Sequence, residues 1–367
     1  MKLEKIIPKK NERLRLSSLI YLADNAGCGV LRCWLPSTLL NQFHSRKFEF
    51  VQMCSNVFTK DISVYKDVIW TVFQRSATKR HLELILFFKD KIRKLTRTKT
   101  IYESDDLLTE IPSWNYASEY YSKNRAYVYQ MLSVVDGITV STPKLKEIYS
   151  QFNDNIVVIP NHLAKFIWKE AVPRIMENKK PRIIYPCSMN HFTLPGKGSH
   201  GGDMGPKLLK FIQDTVKDYS WQFIGGLPNE LIGLVKSGEI KQHPWFSVYH
   251  YPDFLKSLNA DIGIAPLEIN DFNRCKSSIK QLEYVACGIP GVYTDIDPYN
   301  RTLLNSSSEE EFIGNIEALA KDPDLRLKVW EHDYEAIKDE LFWEDNNNII
   351  RYVNSHLSLF GKELGDI

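Results

Sequence analysis

At 367 residues, with 43% apolar and 25% charged side chains, the chain is long enough for two packed globular domains and is neither disordered nor fibrous in composition. Six scattered cysteines form no CxxC pair, the first residues lack the apolar core of a signal peptide, and no run of about eighteen apolar residues occurs, which together exclude a disulfide scaffold and a bilayer-spanning helix and imply the cytoplasm. The net charge of +2 hides a division: residues 1–180 carry 29 Lys+Arg against 18 Asp+Glu, residues 181–367 carry 18 against 27, so the first half is the one drawn to a polyanion, nucleic acid or an anionic membrane surface.

Along the chain, Leu16–Ala23 reads as a strand entering a glycine-rich turn and a helix. Gly27 and Gly29 permit close backbone approach there, and Arg32 is expected to point into a cleft; without a full GxGxxG the alternative is an ordinary strand-to-helix turn. Phe48–Met53 and Val68–Phe73 read as strands. A helix follows over residues 79–99 and ends in KDKIRKLTRTK, either a polyanion contact or a solvated helix end. Thr100–Glu103 is a strand running into Ser104-Asp105-Asp106, where Asp106 could also cap a helix. Trp114–Leu132 is a tyrosine-rich helix, Gly137–Ser141 a strand, Pro143–Phe152 a helix and Ile156–Ile159 a strand. Residues 162–180 read as the interdomain link.

The second half opens with the strand Arg182–Tyr185 and the loop PCSMNHFTLPGKGSHGGDMG, in which Ser188, Asn190, His191 and Lys197 are candidates to cradle a diphosphate; GKGS alone is not a P-loop. A helix over Pro206–Lys217, strands over Trp221–Ile224 and Phe246–Tyr249, and a helix over Pro252–Leu258 lead to the most informative stretch. There Asp261–Pro266 reads as a buried strand, Glu268–Cys275 as a polar loop, Lys276–Cys287 as a helix closed by Gly288 and Pro290, and Gly291–Thr294 as a strand. At 100° per residue Lys276, Lys280, Glu283 and Cys287 share one helical face, opposite Ile279, Leu282, Val285 and Ala286. Two lysines at a helix entrance beside a strand's carboxyl end suit a phosphate, although a solvated charge cluster has the same spacing. Beyond Ser306 the chain is helical and acidic.

The run DIGIAPLE…FN..KSSIKQLEYVACGIPGVYTD resembles the donor segment of GT-B glycosyltransferases, in particular the retaining enzymes known as family four. The resemblance implies an α/β fold of two doubly wound Rossmann-like domains facing a central cleft. The expected bounds are 1–175 for an acceptor-binding domain, 176–340 for a nucleotide-sugar domain and 341–367 for a helix crossing back to the first. It implies that Glu283 holds the ribose and that Lys276, Ser277 and Lys280 face the diphosphate. The family's second glutamate, eight positions earlier, is replaced by Cys275, and Asn273 is the substitute candidate. The stretch IYESDDL resembles the strand that carries a His-Asp pair at the transferred sugar, with Asp105 at the histidine position. The glycine-rich first loop with Gly27, Gly29 and Arg32 is similar to the family loop beside donor phosphate and acceptor.

The activity so implied is glycosyl transfer, with retention, from a nucleotide diphosphate sugar (a UDP-sugar first) to an anionic acceptor. Lysines would stabilise the leaving diphosphate without a metal. With the basic first half, the acceptor expected is a modified base in duplex DNA, with a phage origin and host cytoplasm, or else a lipid-phosphate-linked sugar or polysaccharide at an anionic membrane surface. No obligate protein partner is implied. A nucleotide-sugar-binding protein without turnover, favoured by Cys275, and a phosphorylase or epimerase on the same scaffold are the alternatives. The pairs His191/His200 and His243/His250 lack zinc-site spacing, and Asp295-Ile296-Asp297 is a chance-level match to the metal-binding DxD pattern.

Overall fold

The computed structural model describes residues 16–23, 27–44, 50–193 and 202–362. Short apolar segments pair into two six-stranded sheets, and every pairing is parallel. The first contains β1 (Leu16–Tyr21), β2 (Val51–Ser55), β3 (Trp70–Gln74), β4 (Lys99–Ser104), β5 (Gly137–Val140) and β6 (Ile156–Val158), ordered β2-β1-β3-β4-β5-β6. The second contains β7 (Arg182–Cys187), β8 (Ser220–Gly225), β9 (Lys241–His243), β10 (Ile262–Ala265), β11 (Gly291–Thr294) and β12 (Asn305–Ser306), ordered β12-β11-β10-β7-β8-β9. This is the doubly wound order, whose direction reverses between β7 and β10; in the first sheet it reverses between β1 and β3.

The longer helices cover both faces, as parallel sheets require. They are α1 (residues 27–44, with two wide turns), α2 (residues 79–96), α3 (Ser118–Val134), α4 (Pro143–Tyr149), α5 (Pro206–Asp214), α6 (Tyr251–Ser257), α7 (Ile279–Cys287), α8 (Glu309–Lys321), α9 (Pro323–Ile337) and α10 (Asn348–Ser358). Ile20 and Val72 pack with α1 on one face of the first sheet, and Leu19 and Phe73 with α2 and α3 on the other. The apolar cluster containing α1 continues through Trp168 and Tyr251 to Leu282 and Val285, so one core runs through both sheets.

Most expected elements appear within a few residues of their expected ends, with three differences. Phe246–Tyr249 is not a strand: Phe246 stacks on Phe254 at 3.9 Å, and the edge strand is the polar Lys241–His243, which has no apolar alternation to reveal it. Residues 268–275 contain a helical turn, Asp271–Arg274, capped by the Asn270 side chain. The helix α7 starts at Ile279, so Lys276 and Ser277 precede it. Phe48, Glu49, Lys197 and His200 lie outside the described residues.

The last helix returns to the first sheet. Leu163 and Phe342 form a parallel bridge, Tyr352 Oη accepts from Gln52 Nε2 at 2.9 Å, and His356 stacks on Trp70 at 5.5 Å. His356 Nδ1 lies 2.8 Å from the Tyr352 carbonyl, and His162 Nδ1 lies 2.5 Å from the Glu340 carbonyl. Burial holds both imidazoles neutral, with pKa values pushed down to about 4. The unfolded chain takes up these protons near the ordinary histidine value and the folded chain only near 4. Stability is therefore complete above about pH 6.5 and falls as the pH drops toward 4, by roughly 3 kcal/mol per histidine. Urea unfolding at pH 7 and pH 5 measures this, and His356→Gln is expected to shrink the difference.

Candidate active site

Parallel strands deliver their following loops to one edge, and in this molecule the two edges face each other. From the second half, α7 brings Lys280 and Glu283, joined by a 2.6 Å ion pair, and Tyr251 Oη donates to the same carboxylate at 3.1 Å. Both partners are nearly covered, with side-chain exposures of 12% and 11%. Burial, reinforced by the Glu283 charge, raises the Tyr251 phenol well above its usual range, so Tyr251 remains a donor. Lys276 lies ahead of the helix, over the Phe272 ring at 4.5 Å, and reaches across to Asp106 of the first half at 3.9 Å.

The loops after β7 and β10 supply a second buried group. Asp203 accepts from Asn273 Nδ2 at 2.6 Å and from the Glu268 backbone N–H at 3.0 Å, and it pairs with His191 at 2.7 Å. Burial lowers the His191 pKa, against the pull of Asp203. The Asn273 Oδ1 and both amide atoms of Gln281 are buried without a protein partner. Beside this group, Gly225 (φ +86°) and Gly226 turn the chain after β8; a Cβ on Gly225 would come within 2.7 Å of the exposed Trp245 ring, which packs on Tyr251 at 5.7 Å.

From the first half, Asp105 and Asp106 follow β4. One guanidinium nitrogen, Nη1 of Arg75, contacts Asp105 Oδ1 at 3.0 Å, Asp106 Oδ2 at 3.1 Å and Cys28 Sγ at 3.0 Å. Burial would raise the Asp106 pKa, but Lys276, Arg75 and His191 together hold it below the usual carboxylate range.

Of the residues singled out in the sequence, Asp105, Lys276, Lys280, His191, Asn273 and Glu283 belong to these clusters. Ser277 faces the first half, where its hydroxyl accepts from Asn161 Nδ2 at 2.7 Å. Ser188 opens the short turn Met189–His191. Gly27 has a positive φ of +43° with open space at its Cβ position, whereas Gly29 is buried within α1.

Three expectations are corrected. Arg32 does not line the cleft: it is buried, bound to Glu103 at 2.8 Å, to the Ile159 carbonyl and to Asn161 Oδ1 at 3.0 Å. Burial pushes the Glu103 pKa up to about 7, against the neighbouring guanidinium. Cys287 is not on a polar face but in the core, because α7 is covered all round. Cys275, at the position of the family's second glutamate, is not a cleft group but packs in the core of the first half, with Thr142 Oγ1 bonded to its carbonyl at 2.9 Å.

Arg75, Asp106, Asn161, Asp203 and Tyr251 emerge from the structure. None belongs to a spacing pattern; only the Asp-Asp step and the Gly-rich surroundings of Asp203 marked their segments. Among the described residues no group of three or more His, Cys, Asp or Glu side chains is arranged to hold a metal ion, and Asp297 of the DxD pattern pairs with Arg274. No helix of the described residues is long and apolar enough to cross a membrane.

At the sequence level neither a protein-family model nor a curated protein matches the chain. Solved structures do match its fold. The apo form of the lipopolysaccharide outer core galactosyltransferase WaaB superposes with a TM-score of 0.53 at 11% identity, over 94% of this chain and 99% of that one. AviGT4, a glycosyltransferase involved in avilamycin A biosynthesis, gives 0.54 at 11% identity, over 96% and 99%. The two facing doubly wound sheets and the returning terminal helix are the GT-B fold of these glycosyltransferases.

The buried path Glu103–Arg32–Asn161–Ser277 ties the two halves together beneath the cleft. Asn161→Ala removes both side-chain links; the expected cost is about 1–3 kcal/mol in urea unfolding, with a larger radius of gyration by small-angle X-ray scattering as the halves separate.

Proposed function

We propose that the protein transfers a sugar from a nucleotide diphosphate sugar to an anionic acceptor across this cleft. One observation carries the reading. Lys280, Glu283 and Tyr251 form a nearly buried bonded set at the switch point of the second sheet, and Lys276 bridges from beside it to the first half. A bare solvated charge cluster would have no reason to be covered. The fold shared with WaaB and AviGT4, a galactosyltransferase and a glycosyltransferase, supports the same class.

In this reading Glu283 receives the ribose hydroxyls and the exposed Trp245 offers a face to the base. Lys276, Lys280 and the first N–H groups of α7 neutralise the diphosphate as the C1–oxygen bond breaks. The acceptor hydroxyl forms the new bond to C1 and its proton passes to the departing diphosphate oxygen. Attack on that same face gives retention, the outcome the sequence resemblance implies. The lysines supply the charge that a metal provides elsewhere, and a UDP-sugar is the first donor to try. Asp105 and Asn273 are the groups proposed to meet the transferred sugar. The bounds 1–175, 176–340 and 341–367 are proposed for the acceptor domain, the donor domain and the returning segment.

For the acceptor, duplex DNA rests on the charge division. A specific observation favours a lipid-linked acceptor at an anionic membrane. Of the fifteen exposed large apolar side chains among the described residues, eight fall between Met53 and Tyr120, including Val57, Leu86, Leu95 and Tyr116. Residues 56–99 interleave five of them with 11 Lys+Arg against 4 Asp+Glu. The basic run near Lys91 and Lys94 belongs to the second half of α2, toward the strands' amino ends and away from the cleft.

Incubation with a panel of nucleotide sugars, read as release of the nucleoside diphosphate, tests the activity. Glu283→Ala is expected to weaken donor binding by about 100-fold, from loss of charge-assisted hydrogen bonds, and near-wild-type turnover would displace the site. Binding to duplex DNA and to phosphatidylglycerol vesicles, each titrated with salt, separates the acceptors: a steep salt slope on DNA alone supports nucleic acid, and vesicle binding lost on Leu86→Ser with Leu95→Ser supports the lipid.

A further inference from the structure

Among the described cleft residues other than glycine, Arg75 alone has a left-handed backbone. It stands directly after β3, at the switch point of the first sheet, with a φ of +47°, a conformation that few residues other than glycine adopt. Its N–H is nevertheless fixed to the Glu103 carbonyl at 2.8 Å. The side chain that leaves this left-handed residue is 85% covered. One nitrogen there serves Asp105, Asp106 and the Cys28 sulfur.

The two carboxylates are otherwise held by their backbones. Ser141 Oγ donates to the Asp105 carbonyl, and Ser104 Oγ and Tyr149 Oη donate to the Asp106 carbonyl. The carboxyl groups themselves are held by Arg75, with Cys28 also bonded to Asp105 and the more distant Lys276 beside Asp106. Two adjacent carboxylates at a covered cleft floor repel each other, and one cation placed between them removes that repulsion.

Resting on the glycosyl-transfer reading of the cleft, we propose that Arg75 is a positioning residue. It fixes Asp105 and Asp106 as a pair of hydrogen-bond acceptors facing the cleft, where they receive hydroxyls of the transferred sugar or of the acceptor. Arg75 itself touches neither substrate. Lysine in its place would keep the charge, but its ammonium rides on a flexible stem and has no rigid plane to hold it in one orientation.

Charged and titratable groups face this pair from the neighbouring elements: Lys276 and His191 from the second half, Glu103 from β4, Arg32 and Cys28 from α1 and Tyr121 from α3. Because Lys276 and His191 act on Asp106 from the donor side, the pair also senses the charge brought by a bound diphosphate.

Arg75→Gly is the informative variant, since glycine accepts the left-handed backbone and keeps the turn. With the nucleotide sugar that the wild type turns over, kcat is expected to fall about 100-fold while the donor KM stays within about threefold, because a displaced group costs the reaction more than binding. The acid limb of the pH–rate profile should move upward, since a carboxylate that loses its cation protonates at higher pH. Millimolar guanidinium chloride should restore part of the rate by filling the vacated space, and Arg75→Lys should restore less. A kcat within twofold of wild type, or a loss that guanidinium does not relieve, overturns the proposal.

A second measurement is independent of turnover. The melting temperature of Arg75→Gly should lie below wild type at pH 7, and the gap should narrow as the pH falls through the lowered Asp106 value, where the wild type loses the pairing that the variant lacks; a gap that persists unchanged overturns the proposal. Failure of the broader reading looks different: no nucleotide sugar would be bound or consumed by the wild type, while the pH-dependent gap in melting temperature would stand.

Discussion

Parallel strand pairing is the constraint from which the rest follows. In a parallel sheet every strand's carboxyl end lies on the same edge, so every loop that carries a polar group after a strand arrives on that edge. Two such sheets placed edge to edge bring the Asp105-Asp106 step, Arg75, Lys276, Lys280 and Glu283 into one cleft, although up to 208 positions separate them along the chain. The Asn161–Ser277 bond beneath the cleft and the return of α10 onto the first sheet set how far apart the edges stand.

Charges brought together in so covered a place need partners, since desolvation disfavours each of them alone. Within the cleft these groups pair with one another: Lys280 with Glu283, Lys276 and Arg75 with Asp106, His191 with Asp203. A diphosphate entering beside Lys276 and Lys280 would exchange these internal pairs for pairs with its own oxygens. The lysines, on flexible stems, can make that exchange. Arg75, wedged between two carboxylates and held by its backbone, is built to stay. The contrast separates the groups suited to grip a ligand from those suited to hold the gripping groups in place.

Much of this was legible along the chain. The apolar runs of parallel strands and the Gly288-Ile289-Pro290 stop depend on neighbours in sequence, so they marked the strands and the end of α7, while the two-sheet architecture was implied by the resemblance of the donor segment. The edge strand β9 was not legible, because a half-exposed strand of Lys-Gln-His carries no apolar rhythm. The helical wheel gathered Lys280 and Glu283 correctly but misjudged its outer members. Lys276 precedes the helix, and Cys287 is buried because a helix covered on all sides has no solvent face. Arg32 looked like a cleft residue because its loop is one, yet α1 turns the side chain inward to Glu103.

By itself the sequence determined the periodicities, the breaks between them and the charge division, since each is a property of neighbouring residues and of composition. Only the tertiary structure decided which charges meet. The Arg75–Asp105 contact joins residues thirty apart, and the Lys276–Asp106 approach joins residues 170 apart. No local rule of spacing reaches across a crossover helix or between two sheets. Such pairs form where the strand order reverses and where the two edges face, and both are decided by how whole elements pack.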